Sequence, residues 1–261
     1  MTSTWLSVIG RVWLALILMF LYAPIFIMAL MSFNESQFYQ LPFEFSWRWY
    51  EALSDNTQIK TAAVRSVVIA ITTTGVATIL GTAASIALFR YDFRGKRVLQ
   101  LLLFPPIAIP WLITGTAMLI FFFGVGLGRG TPSVIIGHVA LALPYVIVVV
   151  SARLATFDAT LEEAARSMGA SPWTVTRRVT IPWILPGIIA GALFAFAVSF
   201  DQFVVSYFLT EPGDATLPVL IYTSIRQGFT PEINAVSTII IVVSMVVMLI
   251  AARFSNFGGE R

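Results

Sequence analysis

The segment LEEAARSMGASPWTVTRRVTIP, residues 161–182, is the longest polar stretch in the second half of a chain that is otherwise mostly apolar. Thr160 precedes the segment and Glu163 follows three residues later, a spacing that fits the capping box at the start of a helix. Gly169 is expected to end this helix, because glycine adopts the left-handed conformation without a steric penalty. The segment therefore predicts a short helix that begins at Thr160 and closes at a glycine turn.

A second helix is predicted immediately after that turn. Ser171 is a favoured N-cap residue, and Pro172 suits the first helical turn, where its missing N–H is not needed. Pro182 is predicted to end this second helix. The two helices form a hairpin whose apolar face is predicted to contain Leu161, Ala164, Ala165 and Met168.

The composition around this hairpin indicates an integral membrane protein. Of the 261 residues, 58% are hydrophobic and 11% are charged, whereas soluble domains contain about 25% charged residues. A membrane crossing needs about 20 apolar residues, and six runs are long enough. We therefore predict an all-α fold with six transmembrane helices in one domain, 1–261, and with the hairpin between the fourth and fifth helices. The runs cover residues 12–32, 62–89, 101–123, 133–150, 183–209 and 235–252.

The distribution of Lys and Arg predicts the side of the membrane on which the hairpin lies. Eleven of the 16 basic residues lie at the two ends of the chain, in the loop 90–100 or in the loop 151–182. Basic residues accumulate on the cytoplasmic side of membrane proteins. The hairpin and both termini are therefore expected in the cytoplasm, and the first run is interpreted as a retained helix rather than a cleaved signal peptide.

A hairpin of two helices can bind nucleic acid or protein. Held between two membrane helices, this hairpin is poorly placed to follow a DNA major groove, and the basic residues form no continuous stripe. A protein partner is the better interpretation, with the short first helix entering a groove on that partner.

The residue types that carry catalysis or bind metals are scarce. The chain has no cysteine and a single histidine, His138, which is predicted to make hydrogen bonds between helices rather than to act as a catalyst. Neither a G-x-x-x-x-G-K-[ST] phosphate loop nor a G-x-S-x-G nucleophile motif occurs. We therefore predict no catalytic residue, no metal site and no cofactor in this chain, and a membrane-embedded enzyme is disfavoured.

Within the hairpin, residues 163–165 are Glu-Ala-Ala, Gly169 follows, and residues 179–182 are Val-Thr-Ile-Pro. This pattern resembles the EAA-x3-G-x9-I-x-L-P signature of the permeases of binding-protein-dependent, type I ABC importers. Val179 and Ile181 replace the Ile and Leu of the signature conservatively. The resemblance implies that the loop at about 153–182 is the coupling helix region, which docks on a separate ATPase subunit. The residues to which it assigns this role are Glu163, Ala164, Ala165, Gly169, Ser171 and Pro182.

The resemblance also implies the other components of the transporter. ATP and Mg are expected on two partner ATPase subunits, beside a homologous second permease subunit and a periplasmic or extracellular solute-binding protein, in a bacterial inner membrane. Residues 32–34, 90–96, 143–158 and 231–239 are similar to the second permease subunit of the spermidine/putrescine family. The implied solute is a small organic cation such as a polyamine. A monovalent amine, zwitterion or amino-acid derivative stays open, and so does a free-standing channel or secondary carrier.

Asp201 is the acidic residue inside an apolar run, near the outer end of the fifth predicted span. An ionised carboxylate there is costly unless it is paired, hydrated or facing a cavity, so it is the first candidate for contact with a cationic solute. The polyamine permeases carry a second acid where this chain has Gln202. Tyr207, Tyr145 and Trp111 are further candidates for the solute path, although aromatic residues in membrane helices usually serve packing.

Four other patterns are predicted to be structural. Small residues recur every four positions on the fifth run, which allows close packing of helices. Three prolines open the third run, where a hinge and a helix start are equally plausible. Aromatic residues around Arg48 suit the membrane surface, and GVGLGRG, residues 124–130, is typical of a tight turn. The small residues are Gly187, Gly191, Ala195 and Ser199, the prolines are Pro105, Pro106 and Pro110, and the aromatic residues are Trp47, Trp49 and Tyr50.

Overall fold

The computed structural model describes residues 2–36, 41–227 and 232–256, with side chains for 7–36, 41–227 and 232–246. The described residues are mostly helical and contain no strand beyond one isolated bridge between Asn34 and Phe45. The predicted all-α class is confirmed. In chain order the helices are α1 Thr2–Met31, α2 Arg48–Asp55, α3 Thr57–Arg90, α4 Lys96–Leu103, α5 Pro105–Ala108, α6 Trp111–Gly124, α7 Thr131–Leu154, α8 Thr160–Ser167, α9 Pro172–Val175, α10 Ile181–Phe200, α11 Val204–Leu209, α12 Leu217–Gln227 and α13 Glu232–Asn256.

Within the described residues, 4 helices are long and apolar enough to cross a membrane. They correspond to the first, second, fourth and fifth predicted runs. The last predicted run lies in α13, whose described apolar part, Glu232–Val246, is shorter. The long helices are Ser7–Met31, Thr57–Arg90, Thr131–Leu154 and Pro172–Phe200.

The third predicted run, 101–123, does not form one straight helix. Helices α4 and α5 together cover Lys96–Ala108, and the chain bends by 116° between this segment and α6. Ile109 is extended, with φ −80° and ψ 131°, because a residue that precedes proline is kept out of the α region. Pro110 is then the N-cap of α6, so the prolines start short helices around a bend. Counting this bent pair as one span gives up to 5 spans in the described residues, so the predicted count of six transmembrane helices is not confirmed.

The fifth predicted run differs at both ends. Helix α10 ends at Phe200, and α11 begins only at Val204. At the other end, α9 continues through a π-helical turn, Thr176–Thr180, directly into α10. The prediction that Pro182 ends the second helix of the hairpin is therefore wrong. A π turn shifts the hydrogen-bond register just before Pro182, whose ring would clash with the preceding turn in a regular helix.

The described residues fall into two compact units, one within Met1–Lys60 and Thr223–Met248 and the other within Thr61–Tyr222 and Leu249–Arg261. In the first unit, aromatic rings pack around Phe33, whose centroid lies 4.9 Å from that of Tyr50 and 5.1 Å from that of Trp47. Trp49 is buried and donates its Nε1–H to the Asn34 carbonyl at 2.7 Å. These rings stabilise the loop before α2, and their predicted place at the membrane surface stays a prediction.

The core of the second unit lies where α10 packs on α7. The small residues predicted to allow close packing, Gly187, Gly191, Ala195 and Ser199, are all buried. A Cβ added to Gly187 would lie 2.8 Å from Cβ of Arg153, so only glycine fits against the end of α7. The packing prediction is confirmed, with α7 as the partner of this face.

His138 links three helical segments inside this core. Its Nδ1 is hydrogen-bonded to Ser199 Oγ and its Nε2 to Ser206 Oγ, each at 2.9 Å. Both ring nitrogens are thus satisfied in a buried position, as buried polar groups require. The predicted role as a hydrogen-bonding residue between helices is confirmed.

The glycine-rich stretch before α7 is a turn, as predicted. Gly126, Gly128 and Gly130 have φ angles of 79°, 68° and 135°, which favour glycine. The Gly130 N–H donates to the Leu209 carbonyl at 2.8 Å, so the turn also contacts the end of α11.

Replacing Gly81 with alanine is expected to destabilise the fold. The new Cβ would lie 2.6 Å from Cγ1 of Val146, a fully buried core residue, and overpacking of this kind costs about 1–3 kcal/mol. Gly75→Ala in the same helix is the matched control, because its Cβ would meet nothing within 4 Å. The thermal unfolding midpoint of the detergent-solubilised chain should fall for Gly81→Ala alone. Equal midpoints would contradict the packing argument.

Candidate functional site

The first helix of the hairpin, α8, begins differently from the prediction. Thr160 is the first helical residue, and the preceding Ala159 makes no side-chain cap. The Thr160 N–H instead donates to Asp158 Oδ1 at 2.9 Å. This bond favours the ionised form and lowers the pKa of the Asp158 carboxyl below its ordinary value. The predicted capping box is wrong, because Asp158 binds a free N–H at the helix start.

Glu163 is exposed, and it is not the capping residue of α8. Two roles were predicted for this side chain, as a cap of its own helix or as a contact with a partner. Because Glu163 makes no capping hydrogen bond, the structure excludes the first role. The carboxylate of Glu163 is therefore presented at the surface of the hairpin.

The turn after α8 matches the prediction. Gly169 has φ +85°, and its N–H donates to the Arg166 carbonyl at 2.9 Å. Ser171 caps α9 by accepting the Thr174 N–H at 3.2 Å, and Pro172 occupies the first turn. These hydrogen bonds join residues of the hairpin to one another, so they fix the conformation of the turn without help from the rest of the chain.

The predicted apolar face of α8 divides into two. Ala165 is buried against the rest of the unit, whereas Ala164 is exposed. Leu161 and Met168 are 43% and 81% exposed, and Trp173 on α9 is 69% exposed. The hairpin thus presents apolar side chains outward beside Glu163, as a surface that binds a protein groove does.

The neighbouring glutamate, Glu162, was missed by the sequence analysis. It points inward, where its Oε1 forms an ion pair with Arg90 at the end of α3 and accepts a hydrogen bond from Thr180 Oγ1 at 2.7 Å. Arg90 also donates to Thr176 Oγ1 at 2.9 Å. The sequence held one signal for this site, since Glu162 and Ala165 are three residues apart and so lie on one helix face.

The candidates for the solute path lie in different places. Asp201 is exposed at the end of α10, and no described Lys or Arg side chain lies within ion-pair distance of its carboxylate. Gln202 is buried beside it; its Oε1 accepts the Val205 N–H at 3.4 Å, and its Nε2 has no hydrogen-bond partner among the residues that the structure describes. The break between α10 and α11 thus begins with an exposed carboxylate that is followed by a buried amide.

The three aromatic candidates are more dispersed. Tyr207 on α11 packs its ring on Phe203, at 5.6 Å, and on Tyr222, at 6.0 Å. Tyr145 on α7 instead stacks on Phe194 at 5.3 Å. Trp111 is the first residue of α6 and is 42% exposed. Both tyrosines therefore make packing contacts with other rings. Of the three aromatic candidates, Tyr207 is the nearest to Asp201 in the sequence.

Metal-binding side chains are not clustered in the part of the chain that the structure describes. In that part, no group of three or more His, Asp or Glu residues is placed to hold an ion.

Comparisons with known proteins agree with this geometry. Residues 77–257 match the family described as "Binding-protein-dependent transport system inner membrane component". The chain is 39% identical over 233 residues to the spermidine/putrescine transport system permease protein PotC of Haemophilus influenzae, which covers 89% of this chain and 90% of that protein. It is 37% identical over 247 residues to the putrescine transport system permease protein PotI of Escherichia coli K12, and this match covers 90% of this chain and 88% of that protein.

Solved structures show the same fold. The bacterial alginate ABC transporter, in complex with an alginate pentasaccharide-bound periplasmic protein, contains a chain that matches with a TM-score of 0.75 and 18% identity. The match covers 98% of this chain and 95% of that one.

Proposed function

The chain belongs to the family of binding-protein-dependent transport system inner membrane components and is a permease of the ABC importer class, and we propose that its loop at about residues 153–182 docks on a separate ATPase subunit. The resemblance inferred from the hairpin motif is confirmed by the family match. This family is one of permeases rather than of catalytic enzymes.

The observation that carries the docking proposal is the outward surface of α8. Leu161 on α8 and Met168, the residue that caps its end, are exposed, whereas the other side of the helix is buried; Glu163 lies between them in the sequence. The two anchors are seven residues apart, about two helical turns, a spacing that fits helix-in-groove recognition. Ala164 allows close approach of the partner, because its side chain is small.

The remaining hairpin residues are proposed to hold this surface in shape. Gly169 supplies the left-handed turn, Ser171 caps the following helix, and Pro182 lies where the π turn passes into α10. They act by geometry, whereas Glu163, Ala164 and Ala165 belong to the docking helix itself.

The proposed transporter contains this chain, a homologous second permease, two ATPase subunits that bind ATP and Mg, and an external solute-binding protein. The periplasmic protein bound to the alginate transporter supports a partner of the last kind. The excess of Lys and Arg in loops 90–100 and 151–182 supports a cytoplasmic hairpin and cytoplasmic termini.

The proposed solute is a small organic cation, of which a polyamine is the first choice. Two relatives with similar sequences over 89% and 90% of this chain are named as spermidine/putrescine and putrescine permeases. Asp201 supports the proposal, because its exposed carboxylate attracts an ammonium group at the end of α10. Gln202, which stands where the polyamine permeases have a second acid, favours a monovalent amine or a zwitterion as the alternative.

Docking is tested by adding charge to the outward surface of α8. Leu161→Glu combined with Met168→Glu is expected to reduce copurification of the ATPase subunit by about tenfold or more, since apolar anchors of an interface each contribute about 2 kcal/mol. Phe93→Glu is the matched control, because Phe93 is 42% exposed, as Leu161 is at 43%, but lies in another loop. Full ATPase recovery with the double variant would remove the docking proposal.

A further inference from the structure

A buried ion pair joins the hairpin to a membrane helix. Arg90 is the last residue of α3, and Glu162 is the third residue of α8. Their side chains are 13% and 11% exposed, although both are charged. Long charged side chains are seldom buried unless they are paired, and here each contacts the other.

Two threonines extend this pair to the start of α10. Arg90 donates from Nη1 to Thr176 Oγ1 at 2.9 Å and from Nη2 to Thr180 Oγ1. Thr180 Oγ1 donates in turn to Glu162 Oε1 at 2.7 Å. Thr176 and Thr180 are the first and last residues of the π turn, so one cluster contacts the end of α3, the hairpin helix and the register shift before α10.

Arg166 adds a second positive charge near the cluster. Its Nη2 lies 3.7 Å from Glu162 Oε2, one helical turn along α8, and its side chain is 57% exposed. Each carboxylate oxygen of Glu162 therefore faces a guanidinium group: Oε1 faces that of Arg90, which is buried, and Oε2 faces that of Arg166, which is exposed.

The stability of the fold alone does not explain why a charged pair, Arg90 and Glu162, occupies this buried position. Removing two charges from water costs free energy that their attraction rarely repays, and well-packed apolar residues often serve at least as well. A guanidinium differs from an apolar contact because its donors have a fixed planar arrangement. Arg90 thereby fixes the orientation of three segments relative to one another, not only their proximity.

We propose that Glu162 and Arg90 are positioning residues for energy coupling, which make the hairpin, the end of α3 and the start of α10 move as one body. The inference rests on the proposed docking of the hairpin on an ATPase subunit, but it concerns the opposite face of α8. A displacement of the outward surface is passed through Glu162 to two helices of membrane-spanning length. Rigid-body movements of packed segments are a common form of such transmission.

The test uses the complete transporter in proteoliposomes, with solute import, ATP hydrolysis and retention of the ATPase subunit measured together. Glu162→Gln keeps the size of the side chain and an acceptor for Thr180 but removes the charge. Its expected result is a fall of about fivefold or more in solute imported per ATP hydrolysed, at unchanged ATPase retention, since allosteric couplings start at about that factor. Asp92→Asn is the matched control and should change neither quantity, because it breaks an exposed ion pair with Lys96 close to Arg90 in the chain.

Charge exchange provides the rescue. Arg90→Glu and Glu162→Arg should each lower the import per ATP, and the double exchange should restore part of it. An unchanged ratio in Glu162→Gln overturns the proposal, and so does loss of ATPase retention in that variant, which would make Glu162 a determinant of docking only. Where the charge-reversed single variants fail to assemble, the Glu162→Gln result decides. Failure of the docking proposal is seen separately, as full ATPase retention by the variant with Leu161→Glu and Met168→Glu.

Discussion

Gly169→Pro is expected to abolish ATP-driven uptake while the chain still inserts into the membrane. Proline fixes φ near −65°, whereas Gly169 has φ +85°, so the turn between α8 and α9 cannot form. Proline also removes the N–H that bonds to the Arg166 carbonyl at 2.9 Å. Because the bonds of this turn are local, the long apolar helices should be unaffected. Uptake into proteoliposomes and the amount of chain in the membrane fraction are the two measurements.

Two substitutions at the same position separate conformation from chemistry. Gly169→Asn should retain most of the uptake, because asparagine tolerates the left-handed region better than other residues. Gly169→Ala should be intermediate, since it keeps the N–H but is strained by about 1–2 kcal/mol in this conformation. Equal uptake by the proline and asparagine variants would contradict a role for the turn in coupling.

The hairpin was predictable because its signals are local. Gly169 and Ser171 act on groups within a few residues, and the structure confirms both. The start of α8 shows the limit of this reasoning. Asp158 and Thr160 are both favoured capping residues, and their order in the chain does not tell which one binds the free N–H. The structure places the Asp158 carboxylate on the Thr160 N–H at 2.9 Å.

The breaks within the apolar runs were harder to predict than the runs. Hydropathy measures whether a segment is apolar over enough residues, but it does not measure whether the helix is straight. The bend before Pro110 follows from a local rule, since a residue before proline is kept extended. The break after Phe200 has no such proline, and Asp201 is its first residue.

The adjacent glutamates show why the inward contact escaped the sequence analysis. Successive residues on a helix point about 100° apart, so Glu162 and Glu163 face different surroundings. Which of them faces inward depends on where α3 ends, because the buried partner is Arg90. The spacing of Glu162 and Ala165 places them on one helix face, but tertiary packing decides that this face turns inward toward Arg90.

Asp201→Asn is expected to lower uptake of a cationic solute by about tenfold or more, equivalent to about 1.4 kcal/mol of lost attraction. The carboxylate is exposed where α10 ends, and no described basic side chain pairs with it. Asp201→Glu keeps the charge and should retain more uptake than the amide. The measurement is the initial rate of uptake of labelled putrescine into proteoliposomes, with complex yield recorded for each variant.

The position of Asp201 makes this test independent of folding. A helix carries partial negative charge at its C-terminus, so an aspartate there is repelled by about 0.3–1 kcal/mol at an exposed site. Asn removes that repulsion, and α10 should be as stable in the variant as in the natural chain, or slightly more so. Reduced uptake at an equal unfolding midpoint would therefore show that the carboxylate serves the solute, and a higher midpoint would show in addition that it does so at some cost to its own helix. Unchanged uptake in Asp201→Asn would remove Asp201 from the solute path.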